Sequence, residues 1–113
     1  MTSVADTRAI LERLAEPEPD LTVKGKKTPY LAVNGNMFAF VDAQAALCLR
    51  YGEADRAALA AEMGVGPVMQ YNAVMRGYVA IPAAVIADEV RLAALFAQSV
   101  DHARGLKPKP TKR

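Results

Sequence analysis

At 113 residues, with 52% hydrophobic and 23% charged side chains, the chain has the makeup of one globular domain, which excludes wholesale disorder. No apolar run approaches the eighteen or more residues of a membrane span, and Asp6, Arg8, Glu12 and Arg13 break the first apolar stretch, so neither a membrane protein nor a secretory signal is expected and the chain reads as cytoplasmic. The net charge of +2 is uneven: residues 1–103 hold nine Lys or Arg against twelve Asp or Glu, a balance of −3, while Arg104, Lys107, Lys109, Lys112 and Arg113 close the chain without an acid.

Residues 4–15 carry Ile10, Leu11 and Leu14 at one-turn spacing and predict a short helix, ended by Glu16-Pro17-Glu18-Pro19-Asp20. Residues 21–29 are ambiguous, an edge strand at most, with Gly25 and Pro29 as breakers. Next, Tyr30 to Val33 and Asn36 to Val41 flank Asn34-Gly35, a dipeptide that accepts the positive φ angles of a tight hairpin turn. Regular pairing sets Val33 opposite Asn36 and Leu31 opposite Phe38. Strand alternation then gathers Leu31, Val33, Phe38 and Phe40 on one face and Tyr30, Ala32, Met37, Ala39 and Val41 on the other. Asp42-Ala43-Gln44 turns into a third strand whose Ala46, Cys48 and Arg50 oppose Leu47 and Leu49.

Glu53 to Met63 reads as a second helix with Gly64 as its stop. Two further strands are predicted near 68–72 and 74–81, closed by Pro82. A last helix is predicted from an Asp88 N-cap to Arg104, its apolar face combining Val90, Ala93, Ala94, Ala97 and Val100 with Leu92, Leu95 and Phe96. Met63, Met69 and Met75 read as core filler. The sum is a two-layer α+β domain over residues 1–105, an antiparallel sheet in the order α-β(3)-α-β(2)-α, followed by a disordered basic tail over 106–113.

Several of these pieces resemble the TfoX N-terminal-domain family. They are Val33-Asn34-Gly35-Asn36-Met37-Phe38-Ala39 at the hairpin, Leu47-x-Leu49-Arg50, Gly64-x-x-Pro67, and the strand ending Tyr78-Val79-Ala80-Ile81-Pro82. The tail Gly105 to Lys112 is also similar to endings in this family and in the related YjbR-like proteins, so the likeness runs over about 21–112. The resemblance implies a two-layer fold shared with type III secretion chaperones, and no known catalytic residues. TfoX itself is a regulator of natural competence in bacteria with a further C-terminal domain, for which 113 residues leave no room. One departure is that Lys24-Gly25-Lys26-Lys27-Thr28-Pro29 stands where family members often carry a Met-Phe-Gly type segment.

Candidate sites are few. Catalysis needs paired titratable groups or an activated nucleophile, and the chain has one cysteine, Cys48, and one histidine, His102. A mid-strand cysteine is ordinarily a small buried hydrophobe, and a histidine near a helix C-terminus complements the dipole. No Cys/His spacing resembles a metal site, and no cofactor motif is present. Lys24, Lys26 and Lys27 around Gly25 could cradle a phosphate or other anion on backbone amides that the glycine opens, although such a cluster is ordinarily a solvated loop. Together with Lys107, Lys109, Lys112 and Arg113 they offer the one route to weak, salt-sensitive nucleic-acid contact. Arg50 and Arg76 both fall on predicted strands, where they could hold a small acid between them. The more informative feature is the second sheet face: Tyr30, Met37, Ala39, Val41 and Cys48, with Arg50 as its one placed charge. A two-layer domain would leave it open, and an exposed apolar patch of that size marks an interface, with a protein partner or a second copy of the chain. Cover by the first helix is the alternative. The expectation is a non-enzymatic regulatory or interaction domain, with weak nucleic-acid binding as the alternative.

Overall fold

Asn34 and Gly35 both take positive φ, 53° and 80°, and so fold β1 (Tyr30–Val33) back on β2 (Asn36–Val41) at the dipeptide the sequence marks. The structure, a computed structural model, describes residues 3–70 and 73–107. β2 continues through an Asp42 turn, in which the carboxylate accepts from the amides of Gln44 and Ala46 at 2.9 Å, into β3 (Leu47–Arg50). After α2 (Glu53–Met63) the chain makes a two-stranded hairpin, β4 (Met69–Gln70) with β5 (Ala73–Val74), and then β6 (Tyr78–Ile81). The main sheet is antiparallel in the order β1-β2-β3-β6.

The strand predicted over 74–81 is therefore two. Gly77 sits at φ +86°, a conformation outside any strand, and its carbonyl accepts the Tyr51 amide at 2.8 Å. That turn detaches the 69–74 hairpin from the sheet. The predicted strand over 68–72 also reaches Tyr71 and Asn72, which lie outside the described residues. Pro82, expected only to end β6, also N-caps a short helix, α3 (Ala83–Ile86).

A β-bulge changes the face assignment of β2. Pairing runs Val33 with Asn36 and Ala32 with Met37, then skips Phe38 and resumes at Leu31 with Ala39 and Tyr30 with Phe40. One extra residue reverses the alternation beyond it. Phe38, Ala39 and Val41 all join the main core, each 0% exposed, together with Leu31, Leu47, Leu49 and Val79. Phe40 turns to the opposite face.

The main core lies between that inner face and the helices. α1 (Val4–Ala15) buries Leu11 and Ala15 there, and α4 (Glu89–Arg104) buries Leu92, Leu95, Phe96, Ser99, Val100 and Ala103. The α4 stripe follows the helical repeat, but it is narrower than expected: Ala93, Ala94 and Ala97 are exposed, and Val90 is 84% exposed. Its fourth position is polar. The Ser99 hydroxyl donates to the Arg50 carbonyl at 2.7 Å and lies 3.4 Å from the carbonyl of the bulged Phe38, so the helix satisfies backbone groups at the sheet's irregular end. Tyr51 Oη likewise donates to Leu95 O at 2.8 Å, and the buried Thr7 hydroxyl on α1 donates to Ala45 O at 2.6 Å. These bonds hold two helices to the sheet by groups no periodicity reveals. The acidic connector is tied to the end of α4, Arg104 pairing with Glu18 at 2.9 Å and Asp20 at 2.8 Å. Ordered contacts also run past residue 105: Leu106 is half-buried, and the Lys107 carbonyl accepts from Asn36 Nδ2 at 3.0 Å.

Candidate functional site

The outer sheet face carries its own cluster. Phe40 and Cys48, both 0% exposed, pack with Val68 and Tyr78, and the Phe40 and Tyr78 rings meet edge-on with centroids 5.1 Å apart. Val68 and Met75 belong to the segment around the small hairpin, and they are paired through Met75 N to Val68 O at 2.8 Å. Every helix residue in a core cluster belongs to the inner one. The cover on the outer face is thus the hairpin segment, not the first helix.

Around that sealed centre, Tyr30, Ala32, Met37, Ala46 and Ala80 remain half-buried. Arg50 lies among them, with Nη1 3.4 Å from Met37 O, and the Tyr78 hydroxyl donates to the same carbonyl at 2.9 Å. Of the residues expected on this face, Tyr30, Met37, Cys48 and Arg50 are there. Ala39 and Val41 are not: the Phe38 bulge sends both into the helix-side core. Phe40, expected inside, takes the central place. Tyr78 was legible, since it pairs with Arg50 across β3 and β6 and shares its face. The hairpin cover left no mark in the pattern.

The other candidates are not assembled. Cys48 points into the outer cluster, whereas α4 and its His102 lie against the inner face, so the sheet separates the two. His102 approaches Gly52, ahead of α2. Lys24, Lys26 and Lys27 are exposed, but the Lys24 amide is spent on Tyr30 O at 3.0 Å, and Arg8 takes the Gly25 carbonyl. The hollow beside Lys24, about 190 Å³, includes Asp20. Lys107 lies beside Asn36, at the opposite end of the hairpin from the Lys24–Tyr30 bridge. The described cations therefore do not form one platform. Lys109, Lys112 and Arg113 lie outside the described residues. Arg76, expected on a strand, is exposed in the turn before β6, and the Arg50 side chain lies over Gly77 next to it. Among the described residues, no three His, Cys, Asp or Glu side chains are placed to share a metal, and no helix is long and apolar enough to cross a membrane.

Burial pushes the Cys48 thiol up to about 12, with Asp42's charge adding to the shift, and pushes the Tyr78 phenol up to about 12. It also raises Tyr51. Each folded-state value lies above its unfolded one, so the unfolded chain loses these protons first as pH rises. The stability these groups contribute is intact below pH 9.0, the ordinary thiol value, and declines from there toward about 12. Thermal melts across that range should show a falling midpoint, and Cys48→Ala should flatten its first part. A midpoint constant through pH 9 to 11 would contradict this reading of the outer cluster.

Together these features define a small two-layer α+β domain whose sheet has an apolar outer face, sealed at the centre and open at the rim. Residues 30–103, from β1 to the last turn of α4, match the TfoX N-terminal domain, and the chain belongs to that family. The match starts after α1 and the Lys24–Pro29 segment. Neither the curated proteins nor the solved structures yield a match.

Proposed function

We propose that this TfoX N-terminal-type domain is a non-enzymatic, cytoplasmic interaction module that acts in regulation by docking a protein on the outer face of its sheet, in the first instance a second copy of itself. The observation that supports this is the rim of that face: Tyr30, Ala32, Met37, Ala46 and Ala80 are half-buried apolar residues, with Arg50 among them and Asp42 beside Ala46 as the charges. Apolar side chains left half in water on a sheet face gain by association, at roughly 25 cal/mol per Å² removed from water. A self-complementary patch needs about 800 Å² per partner for a stable pair, and a charge at Met37, a half-buried rim residue paired with Ala32, opposes that association. Dispersal of the described lysines at opposite ends of the β1–β2 hairpin favours protein contact over a nucleic-acid strand.

Light scattering after size exclusion tests the reading. The native chain is expected near twice 12.1 kDa, and Met37→Lys near 12.1 kDa at the same concentration. A native dimer that survives Met37→Lys places the contact elsewhere and removes the sheet-face reading. Salt-sensitive binding of DNA by a monomer would replace it with the nucleic-acid alternative.

A further inference from the structure

A second surface lies on the β6 side of the domain, next to the outer cluster and lined in part by its Val68, Met75 and Tyr78. A groove of about 460 Å³ runs between the first turn of α2 and the turn joining β5 to β6. Arg56 and Glu53 stand on one wall, Arg76 and Val74 on the other, and Val68 and Tyr78 line it between them. The charges are unequally used. Arg56 forks onto Glu53, Nε to Oε1 at 3.2 Å and Nη2 to Oε2 at 2.8 Å. That pairing, with a smaller effect from Arg76, holds the Glu53 carboxyl below its ordinary range. Arg76 is exposed and has no hydrogen bond or ion pair among the described residues. A guanidinium with all its donors available thus stands over a groove in a body that is otherwise net negative.

The rim supplies the second half of the recognition. Met69 and Val74 are cross-strand partners on the small hairpin, 53% and 55% exposed, and they are two of the three large hydrophobics exposed among the described residues. Met69, expected as core filler, is therefore part of an apolar step beside the cation. Paired strand residues lie about 5 Å apart and present one continuous surface. Val74 borders the groove while Met69 extends beyond it, so the matching ligand is longer than a small acid.

We infer that this groove binds an acidic peptide segment of a partner protein, with an Asp or Glu carboxylate on Arg76 and a neighbouring apolar side chain on the Met69–Val74 step. Charge complementarity selects the occupant. An exposed arginine with no hydrogen bond or ion pair among the described residues, beside exposed apolar side chains, suits a carboxylate flanked by hydrophobic residues. A nucleic-acid backbone would need a longer row of cations and would gain little from the apolar step. The inference is separable from the sheet-face contact, since the Met37 side chain does not line the groove, although Tyr78 borders both.

The test is fluorescence anisotropy with a labelled peptide alternating Leu and Glu, its Leu-Lys counterpart and a DNA oligonucleotide, each at low and high salt. The Leu-Glu peptide is expected to bind the native chain, to weaken about tenfold or more with Arg76→Glu, and to bind Met37→Lys as it binds the native chain. Amide shifts in an NMR titration should centre on residues 74–77. A circular dichroism melt checks that Arg76→Glu, an exposed substitution, remains folded. Equal or tighter binding of the Leu-Lys peptide or the DNA, undiminished binding by Arg76→Glu, absence of Leu-Glu binding, or shifts centred on Met37 would each overturn the inference.

Discussion

Val41→Lys is expected to unfold the domain, whereas Met37→Lys, four positions earlier on the same strand, should leave it folded. A regular hairpin places the two side chains on one face. The Phe38 bulge places them on opposite faces, with Val41 0% exposed in the helix-side core and Met37 half-buried at the outer rim. Val41→Lys forfeits about 1.5–3 kcal/mol of apolar burial. It also leaves an ammonium group in the core, with a penalty of several kcal/mol even after it sheds its proton. Their sum rivals the 5–15 kcal/mol that stabilises a domain of this size. Urea titration should therefore show a midpoint lowered by about 2 M or more, or no cooperative transition at all. The lysine at position 37 can carry its charge to water along its own stem, so the expected change to the fold of the single chain is below about 1 kcal/mol, apart from the stabilisation lost with the dimer. Two similar midpoints would mean that the strand runs without a bulge.

This contrast shows where the fold was legible. Elements marked by their own ends were read closely. α2 stops at Gly64 and α4 starts at Asp88, whose side chain accepts from the Arg91 amide at 3.1 Å. The Asn34-Gly35 turn is equally local. A bulge at phenylalanine has no such signature, because Phe38 suits a regular strand as well as an irregular one. The signal lies instead in what the bulge permits, namely Phe38 and Ala39 together facing α4. Ser99 and Thr7 escaped notice for a related reason: a polar residue reads as exposed until the carbonyl it satisfies is seen, and here those carbonyls, on β3 and in the Asp42 turn, lie 49 and 38 residues away in the chain. The outer face shows the same division. Its strand residues could be placed by alternation except beyond the bulge. Its cover could not, since the hairpin that brings Val68 over Cys48 depends on the Gly77 turn cutting a predicted strand in two.

The two phenylalanines flanking Ala39 carry that division to a measurable end. Both Phe38 and Phe40 are 0% exposed, and replacing either with alanine should cost about 3–5 kcal/mol, the usual range for a buried ring. Their consequences for Cys48 differ. Phe38 packs against Phe96 on the helix side, with centroids 6.1 Å apart, so Phe38→Ala opens space across the sheet from the thiol. Phe40 is the residue paired with Cys48 between β2 and β3, and its ring supports the Tyr78 ring that closes the outer cluster. Phe40→Ala should therefore speed the reaction of Cys48 with a thiol reagent well beyond Phe38→Ala, at urea concentrations too low to unfold either variant. Local opening of the outer cluster gives that ordering; global unfolding alone would make the two rates follow stability and nothing else. If the rates do track stability, the hairpin is no lid over Cys48. The sheet face available to a partner would then include its centre as well as the rim of Tyr30, Met37 and Arg50.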